Sequence, residues 1–176
     1  MSLAHAILVL LTDSPQSGYD LAKRFDGSVG FFWQASHQQI YRELAKLEGQ
    51  QWVEAEAIAQ TGRPDKKLYH VTEIGQQQLI LWMQQPSDRS ATKEALLVKM
   101  FAGTLIPREV MVQELERHRA LHAKQLAVYR NIEQQHFLNP VQLPVTEQFR
   151  YLTLRKGIGY ETDWLTWCEE AIQLLS

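Results

Sequence analysis

The chain has 176 residues, a length that fits one domain or a small domain with an appendage. Its 45% hydrophobic and 22% charged residues are typical of a globular protein, and its single cysteine excludes a disulfide framework or a cysteine-rich zinc site. The net charge of −2 excludes a general basic excess, and the apolar run at residues 6–11 is too short to cross a bilayer. We therefore expect a cytoplasmic protein with no membrane partner.

Two short helices are predicted at the start of the chain. Apolar residues recur at helical spacing over residues 3–11, and Pro15 then disfavours the α conformation in the residue before it. Ser17 with Asp20 three residues later resembles a capping box, in which a side chain at the helix start binds a free backbone N–H. This pair predicts a second helix that runs to about Phe25.

A third helix is predicted from Ser36, which forms a second capping-box pattern with Gln39. Its apolar stripe consists of Ile40, Leu44 and Leu47. Its exposed face is expected to carry His37, Gln38, Tyr41, Arg42 and Lys46. A helix with this pattern packs one side on a core and presents the other side to solvent.

A hairpin and a fourth helix follow. Apolar and polar residues alternate over residues 52–59, the pattern of a strand, and residues 68–71 predict its partner. The intervening residues 61–67 are turn-rich and basic, and Thr72 can cap a helix to Gln85. The order helix, helix, helix, strand, basic loop, strand, helix is that of a winged helix-turn-helix.

The rest of the chain is predicted to be helical, after a boundary at residues 86–90. One apolar helix covers residues 93–105, a long helix covers residues 110–135 after Pro107, and Thr146 caps a last long helix. The predicted fold class is therefore mainly α, an N-terminal winged helix-turn-helix with a two-stranded wing followed by a unit of long helices.

Each long helix is expected to carry one apolar stripe. The first stripe consists of Val110, Leu115, Leu121 or His122, Leu126, Tyr129 and Ile132. The second consists of Phe149, Leu152, Tyr160, Trp164, Trp167, Ala171 and Leu175. Because two helices with one stripe each bury little by themselves, we predict that a second copy of the chain covers them.

The third helix offers side chains that can read bases. Glutamine can bond adenine at two points in the major groove, arginine can do so with guanine, and helix N-termini attract phosphates. Phosphate contacts on either side of this helix would come from Lys23, Arg24, Arg63, Lys66 and Lys67. Residues 1–85 hold seven Lys or Arg and nine Asp or Glu, a balance of −2, so this basic surface must be local. A solvated helix face without a ligand remains the alternative.

Three sequence blocks closely resemble the PadR family of transcriptional regulators. They are Ser-Gly-Tyr-Asp-Leu at residues 17–21, Phe-Trp-Gln-Ala-Ser-His-Gln-Gln-Ile-Tyr-Arg-Glu-Leu at residues 32–44, and Gly-Arg-Pro-Asp-Lys-Lys-Leu-Tyr at residues 62–69. They occur in the family's order over most of residues 1–82. The two long C-terminal helices resemble the long-tailed subgroup of that family, which includes the phenolic-acid repressors and the virulence activator AphA.

The resemblance implies a bacterial homodimer, held by its C-terminal helices, that binds double-stranded DNA at an inverted repeat, often as a repressor. Some members release DNA when a small aromatic effector binds. We assign residues 1–86 to a DNA-binding domain and residues 87–176 to a helical dimerisation domain. The predicted DNA-contact residues are Tyr19, Lys23, Ser36, His37, Gln38, Gln39, Tyr41, Arg42, Lys46, Gly62, Arg63, Lys66 and Lys67.

One position departs from the family pattern. Family members often have glycine just before the strand that Trp52 starts, whereas this chain has Gln51 there and Gly49 two residues earlier. If the third helix ends in a left-handed residue, either Gln51 is strained or Gly49 takes that role.

We predict no enzyme, no cofactor and no metal site. His118 and His122 have the spacing of metal ligands but lack a third ligand, and Cys168 lies in a tryptophan-rich helical stripe without a nucleophile signature. An aromatic effector pocket could be lined by Phe31, Phe32, Trp33, Trp82 and Phe101, but aromatic residues more often form cores, so effector residues stay unassigned. The alternative functions are a winged-helix protein-interaction module and an effector-free regulator or activator.

Overall fold

The computed structural model describes residues 3–59, 66–87 and 93–176. The chain divides into two compact units, Met1–Ser90 and Ala91–Ser176. The N-terminal unit contains, in chain order, α1 (Leu3–Asp13), β1 (Gln16–Ser17), α2 (Gly18–Asp26), a short 3-10 helix (Val29–Phe31), α3 (His37–Gly49), β2 (Val53–Ile58), β3 (Lys66–Val71) and α4 (Glu73–Met83).

The sheet of this unit has three antiparallel strands in the order β1-β3-β2. Val53 pairs with Val71 at one end of the hairpin, and Gln16 pairs with Tyr69 on the other side of β3. The two-stranded wing predicted from the sequence is therefore extended by β1. Two residues are too few to show the alternation that marks a strand, which explains why the pattern did not predict β1.

The three helix caps predicted in the N-terminal unit are confirmed. The Asp20 backbone N–H donates to Ser17 Oγ over 3.1 Å, and the Gly75 N–H donates to Thr72 Oγ1 over 3.1 Å. At the start of α3 both halves of the capping box form, with Gln39 N–H donating to Ser36 Oγ and Ser36 N–H donating to Gln39 Oε1. A cap of this kind typically stabilises a helix by about 1 kcal/mol.

The core of the N-terminal unit lies between α1, α2, α3 and the sheet. The predicted α3 stripe of Ile40, Leu44 and Leu47 is fully buried. It packs with buried residues from the other elements, chiefly Ile7, Leu8, Leu21, Phe25, Val53 and Leu79. Burying a side chain of this size stabilises the fold by roughly 1.5–3 kcal/mol, so the core fixes which side of α3 faces outward.

The end of α3 resolves the question raised by its missing glycine. Gln51 has a left-handed φ of 61°, while Gly49 lies within α3 and a Cβ added there would contact nothing within 4 Å. The Gln51 N–H donates to Glu48 O and the Trp52 N–H donates to Leu47 O, which is the Schellman pattern. A glutamine therefore occupies the position that this motif usually gives to glycine.

We expect Gln51→Gly to raise the free energy of unfolding by about 0.5–1 kcal/mol, because glycine adopts the left-handed conformation without steric strain. Urea denaturation followed by circular dichroism would measure the gain. Gln50→Gly is the matched control, since Gln50 has a right-handed backbone with φ of −86°. Equal effects of both changes would contradict the assignment of strain to Gln51.

The C-terminal unit is helical. It contains α5 (Ala95–Phe101), two 3-10 helices (Gly103–Leu105 and Pro140–Gln142) and the long helices α6 (Arg108–His136) and α7 (Val145–Leu175). The predicted cap of the last helix was wrong. Pro144 takes the cap position without a side-chain hydrogen bond, and Thr146 lies inside the first turn. The apolar helix predicted over residues 93–105 ends at Phe101, where Ala102 leaves the helical conformation.

Helices α6 and α7 pack along each other. The buried side of α6 carries Met111, Leu115 and Tyr129, and the buried side of α7 carries Ile158, Glu161, Cys168 and Ala171. The carboxylate of Glu161 lies 2.6 Å from His122 Nδ1, and the His122 ring stacks on Trp164 with centroids 4.9 Å apart. A buried hydrogen-bonded pair of this kind disfavours shifted registers of the two helices.

The predicted apolar stripes of both helices are only partly buried within the unit. Val110 and Leu121 on α6 are 49% and 52% exposed, and Phe149, Leu152 and Tyr160 on α7 are 49–68% exposed. Apolar residues therefore occupy two sides of α7. The sequence pattern could not show which of the two sides the partner helix covers, because both have helical spacing.

Candidate nucleic-acid interface

The outward face of α3 begins at its capped N-terminus. Every residue of this helix that the sequence analysis proposed as a DNA contact is exposed, as is the capping residue Ser36. At about 100° per residue, Gln38 and Arg42 lie at the centre of this face, opposite the buried leucines. Ala45 and Gly49 continue the same line and are exposed too, so no bulky side chain blocks a close approach.

Gln38 and Arg42 are available for binding. Among the residues that the structure describes, neither side chain forms a hydrogen bond or an ion pair within the protein. Their donors and acceptors therefore point to solvent on one side of a rigid, capped helix. Side chains of these two types can form the two-point contacts that distinguish base pairs in the major groove.

Other predicted reader residues already have structural partners. The side-chain oxygen of Gln39 accepts the capping-box bond from Ser36, so one of its two hydrogen-bonding groups is in use. His37 Nε2 lies 2.8 Å from a carboxylate oxygen of Asp26. The Lys46 ammonium lies 3.1 Å from Glu43 on the same helix. Of these contacts, the one between His37 and Asp26 joins the start of α3 to the end of α2.

Two exposed tyrosines lie beside the outward face of α3. Tyr19, on the first turn of α2, is 65% exposed, and Tyr41 on α3 is 45% exposed. A Cβ atom added to Gly18 would lie 2.5 Å from the Tyr41 ring, so the ring packs directly on the backbone at the start of α2. Gly18 therefore sets the close approach of the two helices, a requirement that only the structure revealed.

The described lysines beside α3 differ in their environment. Lys66 Nζ donates to Asp20 Oδ2 over 2.7 Å, and Lys67 Nζ lies 3.4 Å from Glu48 Oε1. Lys23 is exposed. The remaining wing residues of the prediction, Gly62 and Arg63, lie outside the described residues.

Arg24, which the sequence analysis grouped with the phosphate contacts, is directed toward α1. Its guanidinium donates to the Leu10 carbonyl oxygen over 3.2 Å and pairs with Asp13. It therefore joins α2 to the last turn of α1. No sequence pattern distinguishes it from Lys23, because the distinction depends on which side of α2 meets α1.

Asp20, which caps the start of α2 together with Ser17, also lies beside the candidate site. The hydrogen bonds from Lys66 and from the Ser17 hydroxyl hold the pKa of its carboxyl below the ordinary value. It is thus ionised at neutral pH and lies next to Tyr19 on the proposed binding surface. The pairing of Asp20 with Lys66 spans 46 positions of sequence, and no local signal could have revealed it.

Of the five aromatic residues considered for an effector pocket, Phe31 is half-buried and the other four fall into two groups. Trp33 and Trp82 pack against the core of the N-terminal unit. Phe32 is 63% exposed and Phe101 is 98% exposed. The two tryptophans therefore have the core role that aromatic residues commonly take.

The residues considered for metal or nucleophile chemistry have packing roles. His122 is held by Glu161, and burial lowers the pKa of the neighbouring His118. Cys168 is fully buried beside Leu115, and burial raises the pKa of its thiol, which disfavours the reactive thiolate. The described ranges contain no group of three metal-ligating side chains and no helix long and apolar enough to cross a membrane.

The two units match two different protein families. Residues 7–80 match the family described as the transcriptional regulator PadR-like family. Residues 92–176 match the family described as the virulence activator alpha C-terminal region.

Relatives extend the similarity over the whole chain. The chain is 37% identical to a "probable transcriptional regulator" of Mycobacterium tuberculosis, covering 99% of this chain and 98% of that protein. It is 28% identical to the Bacillus subtilis negative transcriptional regulator PadR, covering 98% of this chain and 97% of that protein.

Solved structures show the same fold. The Vibrio cholerae virulence activator AphA has a TM-score of 0.80 at 31% identity, covering 99% of this chain and 98% of AphA. Bacillus subtilis PadR in complex with operator DNA has a TM-score of 0.86 at 25% identity, covering 99% of both chains. Bacillus subtilis PadR in complex with p-coumaric acid has a TM-score of 0.80 at 25% identity, covering 98% of both chains. The predicted winged-helix fold is thereby confirmed, and these relatives are regulators rather than enzymes. The chain belongs to the PadR-like family of transcriptional regulators.

Proposed function

We propose that this protein is a cytoplasmic, homodimeric repressor that binds an inverted-repeat operator in double-stranded DNA through α3 of each protomer. The observation that carries the proposal is the outward face of α3, on which Gln38 and Arg42 are exposed and unpaired within the described part of the chain. The similarity to PadR solved with operator DNA supports the same use of this helix.

The proposed contacts fall into two classes with different consequences. Gln38 and Arg42 would contact base edges and thereby select the sequence. Tyr19, Lys23, Lys66 and Lys67 would contact phosphates, which fix the position of the protein on DNA but carry no sequence information. Arg63 would add a phosphate contact from the wing.

Repression is proposed because a relative along the whole chain is named a negative regulator. Activation is the second candidate, and the observation that favours it is the 31% identity to the virulence activator AphA. Both use the same DNA chemistry. A reporter gene placed behind the chain's own upstream region distinguishes them, since deletion of the regulator raises expression under repression and lowers it under activation.

Binding of the purified protein to its own upstream DNA tests the proposal. We expect a nanomolar-range complex with an inverted repeat whose half-sites are about one helical turn, ~34 Å, apart. A gel shift with that DNA and a shuffled duplex of equal length provides the measurement. The absence of any shift at low salt would instead favour a winged-helix module that binds proteins.

The proposed dimer rests on apolar residues that the chain leaves exposed. On α7 these are Val145, Phe149, Leu152, Tyr160 and Leu174, each at least 49% exposed. At about 100° per residue, Val145, Phe149 and Leu152 lie roughly opposite the buried Ile158. Tyr160 lies at the edge of the contact with α6, its ring 6.3 Å from that of His122. A helix that is apolar on two sides is normally covered on both, and a second copy of residues 87–176 would supply the cover.

We expect Phe149→Glu to weaken dimerisation by about two orders of magnitude or more, because an uncompensated charge buried in an interface costs about 3–5 kcal/mol. Sedimentation equilibrium would measure the shift toward monomer. Gln173→Glu adds the same charge at an exposed polar position of α7 and serves as the control. If Phe149→Glu remains as dimeric as the control, this side of α7 is not the interface.

A small aromatic effector is part of the proposal and rests on the likeness to PadR in complex with p-coumaric acid. Adding phenolic acids to the protein–operator complex should release the DNA. The five tryptophans of the chain also allow binding to be followed by fluorescence. Unchanged operator affinity and fluorescence at millimolar phenolic acid would support an effector-free regulator.

A further inference from the structure

The balance of charge in the N-terminal unit conflicts with its proposed use, since residues 1–85 carry two more acidic than basic residues. The structure shows where part of this acidity lies. Two carboxylates contact the two described wing lysines, Asp20 with Lys66 and Glu48 with Lys67. These contacts join β3 to α2 and α3, so they arise from the tertiary fold rather than from neighbouring residues.

Two hydrogen bonds fix the position of the Asp20 carboxylate beside Lys66. The Ser17 hydroxyl donates to Asp20 Oδ2 over 2.7 Å, and Lys66 Nζ donates to the same oxygen over 2.7 Å. The Asp20 side chain is still 49% exposed and that of Lys66 39% exposed, so DNA can reach both. A phosphate that approaches Lys66 therefore meets a carboxylate already bound to the ammonium.

We propose that Asp20 is a built-in competitor for phosphate, which neutralises Lys66 in the free protein and so limits the affinity for DNA of any sequence. The inference rests on the proposed DNA-binding function. On binding, Lys66 exchanges the carboxylate for a phosphate, and Asp20 takes up a cation from solution. Base contacts by α3 are unaffected, so a larger share of the binding free energy comes from sequence-dependent contacts. Glu48 competes with phosphate for Lys67 in the same way, with 3.4 Å between Lys67 Nζ and Glu48 Oε1.

The test is the salt dependence of binding to a random duplex by the full-length protein. Asp20→Asn keeps the shape of the side chain and its acceptor for the Ser17 hydroxyl but removes the charge. The slope of log affinity against log salt concentration should become steeper by about 0.9, because no cation is taken up. Affinity at low salt should rise by about two- to fivefold.

Two comparisons make the test specific. Glu116→Gln removes one charge from an exposed ion pair with Arg119 on α6 and changes the net charge equally. It should leave both slope and affinity unchanged, and an effect equal to that of Asp20→Asn would overturn the proposal. In a Lys66→Ala background, Asp20→Asn should have no effect, and a persisting effect would show that Asp20 repels DNA directly. Thermal unfolding of each variant checks that the fold is retained.

The outcome also separates this proposal from the proposed function. If the unaltered protein binds DNA and Lys66→Ala weakens that binding while Asp20→Asn changes nothing, the DNA function stands and the competitor role is refuted. If the unaltered protein fails to bind its upstream region and random DNA at low salt, both are refuted.

Discussion

Replacing Arg42 with alanine should lower operator affinity by about 5- to 150-fold, the value of a two-point contact between a side chain and a base. The loss should be much smaller for random DNA, because non-specific binding depends almost entirely on phosphate contacts. The structural basis is that Arg42 lies at the centre of the exposed face of α3 and has no carboxylate partner in the described ranges. The Arg42 guanidinium can therefore bind DNA without first breaking an ion pair within the protein.

Fluorescence anisotropy with a labelled operator and a shuffled duplex would measure both affinities for each variant. Arg42→Lys keeps the charge and removes the planar fork, so it should lose most of the discrimination and little of the non-specific affinity. Lys124→Ala removes one exposed positive charge from α6 and should change neither affinity. Equal losses on both duplexes for Arg42→Ala would assign Arg42 to the phosphate contacts.

The second large effect is expected at Gly75, in the first turn of α4. A Cβ atom there would lie 2.0 Å from the Trp52 carbonyl oxygen and 3.1 Å from Val71 Cγ1. Backbone atoms cannot move aside as a flexible side chain can, so Gly75→Ala should force α4 away from β2. The Thr72 cap and the Thr72 N–H bond to Trp52 O lie at the same junction and would be disturbed with it. We expect the free energy of unfolding to fall by about 2–4 kcal/mol.

Urea denaturation followed by circular dichroism would show this loss. Gly49→Ala is the matched control, because Gly49 is helical and an added Cβ would contact nothing within 4 Å. That change should stabilise α3 by up to about 1 kcal/mol, as expected for replacing glycine by alanine in a helix. A Gly75→Ala protein as stable as the unaltered chain would mean that α4 tolerates a larger separation from β2.

Much of the fold follows from local sequence. The caps at Ser17, Ser36 and Thr72 involve groups three residues apart, and the buried stripe of α3 follows from helical spacing alone. The hairpin follows from alternation around a turn-rich segment. The exposed residues of the candidate site could be named for the same reason, since they lie opposite that stripe. Their contacts with DNA remain predictions.

Other features depend on distant parts of the chain. The short strand β1 forms by pairing with β3, and Arg24 contacts α1 because the last turn of α1 lies beside it. On α7, two apolar sides have equal helical spacing, and only packing against α6 decided which one is buried within the unit. Phe149 and Leu152, which the sequence pattern assigned to the apolar stripe, stay exposed within a single chain.

The sequence by itself determined the order of the main helices and the hairpin, the capped start of α3 and the family. Each of these depends on residues that are close in sequence or on motifs in a fixed order. The tertiary structure decided which cations are free, which glycines are required and where the surface remains apolar. The reason is physical: a Coulomb interaction, a backbone contact or a buried face depends on distance in space. Lys66 and Asp20 are 46 positions apart in the sequence and form an ion pair only because the fold brings them together. The charge of this surface therefore depends on the tertiary structure as well as on the composition.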